Sequence, residues 1–182
     1  MHRIAVPRFL MLGTALALVA SAQAQSTAAH NSGGLSVQLA SGSHAQRATL
    51  GWETPVLWTH HNADGPGRVE MTGELGLSYW HATQGRKPAS VWQLSAIPML
   101  RWWPGGQRLY LEGGVGPTLF SHTHFSDTRH STAFQFGIHL GVGYQLTPAH
   151  RVGLRIAHFS NAGMKEPNPG LNVLQLTYTH LY

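Results

Sequence analysis

The chain has 182 residues, a formal net charge of +5 and no cysteine, and only 10% of its residues are charged, where a soluble domain carries about 25%. The lack of cysteine excludes a disulfide framework and any thiolate-bound metal, and basic residues scattered singly give no nucleic-acid footprint. Low charge with a mean hydropathy of −0.13 suits neither a helical membrane protein nor an ordinary soluble domain. It suits a transmembrane β-barrel, whose strands alternate apolar and polar residues.

In chain order, Arg3 and Arg8 flank the start of an apolar run from Phe9 to Ala20, followed by Ala22-Gln23-Ala24. That is the pattern of a signal peptide over residues 1–24, too short to span a bilayer as a helix. Residues 25–182 are expected to form a single barrel, after a leader at 25–32. Gly33–Ala40 alternates Leu35, Val37 and Leu39 in a first strand, and residues 41–47 read as a polar loop. A second strand places Leu50, Trp52, Thr54, Val56 and Trp58 on one face, before a Gly/Pro turn at 62–67. The third sets Val69, Met71, Leu75, Leu77 and Tyr79 against Arg68, Glu70, Thr72, Glu74 and Ser78. The fourth carries Trp92, Leu94, Leu100 and Trp102 on one face. The fifth opposes Leu109, Leu111, Val115 and Leu119 to Tyr110, Glu112 and Thr118. After a polar loop at 121–130, the sixth runs from Phe134 to Leu146 in strict alternation. The seventh carries Val152, Leu154 and Ile156, and the last Leu174, Leu176, Tyr178 and Tyr182.

Strands of roughly ten residues, about eight of them, have the length a tilted strand needs to cross a bilayer. The competing fold, a secreted β-sandwich, shares the alternation. Three features favour the all-β transmembrane antiparallel barrel: aromatics at strand ends, charges and glycines on the opposite face, and an aromatic last residue. Connections after the first, third, fifth and seventh strands read as the longer ones, so these strands end outside the cell. Glu53, Glu70, Glu74, Glu112, Arg68, Arg101, Arg151 and Arg155 are expected to point inward and pair as a polar plug.

The stretch Arg155-Ile156-Ala157-His158-Phe159-Ser160-Asn161-Ala162-Gly163 closes the seventh strand. His158 and Ser160 lie two apart and share a face, and a histidine beside a hydroxyl is the minimum for a base-activated nucleophile. Counting by twos puts both on the apolar, lipid-facing side, and Asn172 on the same side of the last strand. Polar groups on such a surface are costly unless they serve a function or lie in the wet headgroup zone.

His158-Phe159-Ser160-Asn161-Ala162-Gly163, with Pro167-Asn168-Pro169-Gly170 and a closing strand, resembles the signature of the outer-membrane lipid A 3-O-deacylases, the PagL family, over about residues 150–182. The resemblance implies an eight-stranded barrel of the bacterial outer membrane that hydrolyses the 3-O-linked acyl chain of lipid A (lipopolysaccharide) in the outer leaflet. It implies Ser160 as nucleophile, His158 as base, Asn161 at the oxyanion, and no cofactor or metal. The family's orienting glutamate falls at Asn172, which can still fix the imidazole tautomer; Glu166 is the alternative. Phe159, Leu174 and Leu176 are expected to guide the acyl chain, and Lys165 to meet phosphate. Outer-membrane phospholipase A also carries an exposed His-x-Ser-Asn with a later asparagine, but it is a twelve-stranded, calcium-using dimer, too large for this chain. Phospholipid hydrolysis, and a non-enzymatic barrel binding partners through its loops, are the alternatives; a homodimer is left open. His60-His61 and the loop histidines His122, His124 and His130 lack a third strong ligand and are read as solvated.

Overall fold

The computed structural model describes residues 33–182 apart from 64, 106 and 107. The signal peptide and leader expected for residues 1–32 lie outside the described residues.

The elements are β1 (Gly34–Ser41), β2 (Ala45–Glu53), β3 (Trp58–His61), β4 (Arg68–Ala82), β5 (Ser90–Trp103), β6 (Leu109–Phe120), β7 (His124–Phe125), β8 (Thr128–Arg129), β9 (Phe134–Thr147), β10 (His150–Ser160) and β11 (Leu171–Leu181). Hydrogen bonds run in the order β2-β1-β11-β10-β9-β6-β5-β4-β3, and a further β2–β4 pairing closes the ring. All pairings are antiparallel. With β3 continuing β2 along β4, the barrel has eight staves, as the alternation implied.

The pleat sorts residues by face. Leucines such as Leu50 (68% exposed) and Leu140 (61%) stand on the outside, an arrangement tolerable only against lipid. Arg101, Arg155, Glu53, Glu74 and Glu112 are buried in the lumen. They form one alternating chain, Arg151–Glu53–Arg101–Glu112–Arg155–Glu74, with contacts of 2.7 Å (Arg151–Glu53), 3.1 Å (Arg101–Glu112) and 2.9 Å (Arg155–Glu74). Gln38 donates to Glu74 at 3.0 Å and extends it. Each charge thus meets its opposite, which is what makes ions tolerable in a low-dielectric interior. The plug is as expected, with Glu70 and Arg68 paired apart from the chain. Arg47 is an addition: it bonds Gln175 and lies 4.9 Å from the Phe159 ring centroid.

A second, apolar layer lies towards the long-loop end. Trp80 and Phe159 meet edge to face at 5.4 Å, and Phe120 and Phe125 pack on the same indole. Ala40, Ala45, Ala82, Val91, Ala157 and Val173 complete the cluster. It seals the barrel under the residues singled out above and roots β10 through Phe159.

Two expectations about connections are corrected. The first loop is only Gly42–His44, because β2 begins at Ala45; Arg47 and Thr49 already face the lumen. The second strand breaks at residues 54–57, where Pro55 offers no N–H to the ladder. Thr54 instead accepts the Gly73 N–H on its hydroxyl at 2.9 Å. The pairing with β4 moves from Glu53↔Glu74 to Trp58↔Met71, an even shift that leaves Trp58 on the outside.

Candidate active site

β10 carries His158 and Ser160 at its last turn of pleat, and His158 pairs directly with Asn172 across the β10–β11 ladder. Such opposed residues bring their side chains within reach. His158 Nδ1 lies 2.7 Å from Asn172 Oδ1. An amide oxygen only accepts, so this contact requires Nδ1 to carry the proton and leaves the Nε2 lone pair as the basic position. Ser160 follows two residues along on the same strand face.

The parity expectation holds for the strand but not for exposure. Asn172 is exposed, His158 half-buried, and Ser160 buried. Alternation ends with Phe159, Ser160 and Asn161 all buried in succession, because the loop 161–170 is tied back onto the barrel. Asn161 Nδ2 donates to Ser131 Oγ at 2.7 Å and to the Lys165 carbonyl at 2.6 Å. The Asn161 N–H donates to Asn168 Oδ1 at 3.0 Å, and its own Oδ1 accepts the Gly163 N–H. Asn161 therefore has no free N–H for an oxyanion. Its side chain ties the loop together. Ala162, held at φ 54°, directs an N–H that meets no acceptor among the described residues.

Glu166 does not reach His158. Its carboxylate accepts the Asn168 N–H at 3.0 Å, a local turn contact, so the imidazole is met by Asn172. Lys165 presents an exposed side chain while its carbonyl serves the loop. Phe159 is 1% exposed and belongs to the interior cluster; its parity is opposite to His158, so it cannot line an external acyl path. Leu174 and Leu176 do face outward. A groove of about 530 Å³ runs along the outer wall from His158 and Asn172 over Ile138, Leu140, Ile156 and Leu174.

Two contributors escaped the sequence reading. Gly170 has φ +66°, and a Cβ there would come 2.8 Å from His158 Cε1; only glycine fits both the backbone and the ring. Its place at the end of Pro167-Asn168-Pro169-Gly170 counted towards the family resemblance, but nothing in the sequence set it against His158. Ser131, from the distant loop before β9, holds Asn161 and donates to the Lys165 carbonyl at 2.6 Å. No local pattern could have marked it.

The histidines of the β6–β9 connection divide. His130 is buried against Phe120, ring centroids 6.3 Å apart, with both ring nitrogens unpartnered. Burial, reinforced by nearby His124, lowers its pKa below the ordinary histidine value. The expectation of a solvated loop fails there, because the β7–β8 hairpin folds over the barrel mouth and sets Phe125 on Trp80. His60 stays exposed and stacks on Trp58. Among the described residues no three His, Asp or Glu side chains converge as a metal site.

The model of the lipid A 3-O-deacylase (PagL) family matches residues 46–180. The chain is similar to lipid A deacylase PagL of Bordetella bronchiseptica, 54% identical over 176 residues covering 97% of this chain and 96% of that protein. It is 29% identical to lipid A deacylase PagL of Pseudomonas aeruginosa over 134 residues, 72% of this chain and 75% of the other. The crystal structure of the outer membrane enzyme PagL superposes with a TM-score of 0.71 at 25% identity, covering 81% of this chain and 98% of that one. With a closed eight-stave barrel, a histidine–asparagine pair on its outer wall and a family match spanning both, the chain belongs to the lipid A 3-O-deacylase (PagL) family.

Proposed function

We propose that this protein is an outer-membrane serine esterase that hydrolyses the 3-O-linked acyl chain of lipid A, after removal of a signal peptide at residues 1–24. The observation that carries the catalytic assignment is the 2.7 Å contact between His158 Nδ1 and Asn172. It fixes one imidazole tautomer and leaves Nε2 as the basic nitrogen, which supports reading His158 as base and Asn172 as orienter for Ser160, two residues along the same strand face. Ser160 Oγ attacks the acyl carbonyl as its proton passes to His158 Nε2. The Ala162 N–H is the donor left to meet the oxyanion, and one such donor is worth roughly 3 kcal/mol. His158 then protonates the departing sugar oxygen. Water, deprotonated by the same nitrogen, cleaves the acyl-serine, releasing the fatty acid and restoring the hydroxyl.

The substrate reading rests on family membership and on the site's place on the lipid-facing wall. An acyl chain in the outer leaflet reaches the groove over Leu140, Ile156 and Leu174 without leaving the bilayer. Lys165, on the adjoining loop, is placed to meet a lipid A phosphate at the headgroup level. A second reading, acyl hydrolysis of phospholipids, is favoured by one feature, the neutral asparagine at the orienting position.

The test is incubation of the refolded protein with lipopolysaccharide, with lipid A read by mass spectrometry. Wild type is expected to remove one 3-linked acyl chain. Ser160→Ala is expected to lose activity by on the order of 10⁶-fold. Unchanged lipid A together with cleaved phospholipid would move the assignment to the second reading.

A further inference from the structure

At the opposite end of the same two strands, on the rim where short turns place the periplasm, three donors converge. His150 opens β10 and is the register partner of His180 on β11. Their Nδ1 atoms are 3.5 Å apart, and the Tyr178 hydroxyl lies 2.8 Å from His150 Nδ1. The rings are packed together, with centroids 5.0 Å apart for His150–His180 and 5.9 Å for His150–Tyr178. All three side chains are half-buried on the outer face. A bulge against β9 falls between His150 and Arg151, and bulges commonly re-aim a side chain.

One hydrogen bond, between the Tyr178 hydroxyl and His150 Nδ1, leaves the His180 Nδ1 at 3.5 Å without a strong partner in the cluster. His150 Nδ1 has one in-plane position, either a lone pair or an N–H, yet two partners approach it. Among the described residues neither histidine forms an ion pair with a carboxylate. A cation between the three atoms would meet a lone pair from each. Two nitrogens bound at about 2.0–2.1 Å in tetrahedral geometry lie roughly 3.3 Å from each other. The observed 3.5 Å is within reach of a small ring rotation, and 2.8 Å suits a nitrogen and an oxygen at a near-right angle.

We propose that His150, His180 and Tyr178 form a binding site for a divalent late transition-metal ion, with copper, nickel and zinc the fitting choices for imidazole and phenol donors. The ion bridges two adjacent staves. It lies eight residues from His158, about 26 Å of strand at 3.3 Å per residue, so it takes no part in ester hydrolysis. Water completes its coordination on the exposed side.

The test uses tag-free, metal-stripped protein in detergent, titrated with Ni²⁺ by calorimetry and followed by thermal unfolding. Wild type is expected to bind one ion saturably and to melt higher as Ni²⁺ rises. His150→Gln and His180→Gln are each expected to weaken binding by more than the roughly 10- to 100-fold lost with a supporting group, and Tyr178→Phe by less. His60→Gln with His61→Gln is the control and should bind as wild type. With Cu²⁺, loss of a phenolate-to-copper charge-transfer band in Tyr178→Phe identifies the oxygen ligand. Unaltered acyl-ester hydrolysis in the histidine variants shows that they fold. Absence of saturable binding in wild type, or equal affinity in the His150→Gln/His180→Gln double variant, overturns the proposal.

Discussion

His158 is held from two sides, by the Asn172 amide at Nδ1 and by the bare Cα of Gly170 against Cε1. Each contact gives a prediction. Asn172→Ala removes one neutral hydrogen bond, about 1 kcal/mol, so kcat should fall roughly fivefold. Asn172→Glu keeps an acceptor and adds a charge that stabilises the imidazolium, and activity should equal or exceed wild type. Glu166→Ala, whose carboxylate only closes a turn, should stay within about twofold, as exposed substitutions do. Esterase kinetics on the three variants separate Asn172 from Glu166 as orienter. Gly170→Ala puts a methyl where the ring stands and strains a φ of +66°. A displacement of order 1 Å costs about 100-fold, so kcat should drop by that factor while heat-modifiable gel migration, a sign of the folded barrel, is retained.

At the scale of elements, the site is a strand end tied to two loops. The 161–170 loop is fastened to the β6–β9 connection through Asn161, Ser131 and the Lys165 and Pro167 carbonyls. One residue before Ser131, His130 sits unpartnered against Phe120. Its depressed pKa means that the unfolded chain binds a proton more readily than the native one. Its contribution is therefore intact above the ordinary histidine value near 6.5 and declines as pH falls below it. Urea-unfolding midpoints should drop between pH 7.5 and pH 5, and His130→Phe, which keeps the stacking surface without the titration, should flatten that drop. An equal drop in both proteins would assign the acid sensitivity to other groups.

Across the whole molecule, the lumen is divided into an aromatic layer under the site and an ion-paired layer below it. Glu112 sits between Arg101 and Arg155, so Glu112→Leu breaks two buried ion pairs and leaves Arg101 with Glu53 and Arg155 with Glu74 as their remaining carboxylates. Breaking a buried pair costs about 3–5 kcal/mol. The folded fraction in urea-titrated proteoliposomes should shift by that amount, while lipid A deacylation by the surviving folded protein persists. A shift under about 1 kcal/mol would show that water reaches this layer and screens it.

The alternation of Phe134–Leu146 and of Val152–Ile156 determined the strands, their lipid-facing side and the inward charges, because a period of two admits one choice of face once apolar residues have only lipid to meet. That His158 and Asn172 share an outward face of neighbouring strands was legible from their parity. Tertiary structure decided what lay beyond one strand: that Asn172 and not Glu166 meets the imidazole, that Asn161 has its donors engaged in the loop, and that Phe159 points into the barrel. It also decided that Gly170 and Ser131 belong to the site at all. Spacing along a strand reports direction, since the pleat fixes it. Which side chain a loop delivers to a given atom depends on contacts between residues far apart in sequence, such as Ser131 with Asn161, and these are set only when the barrel closes.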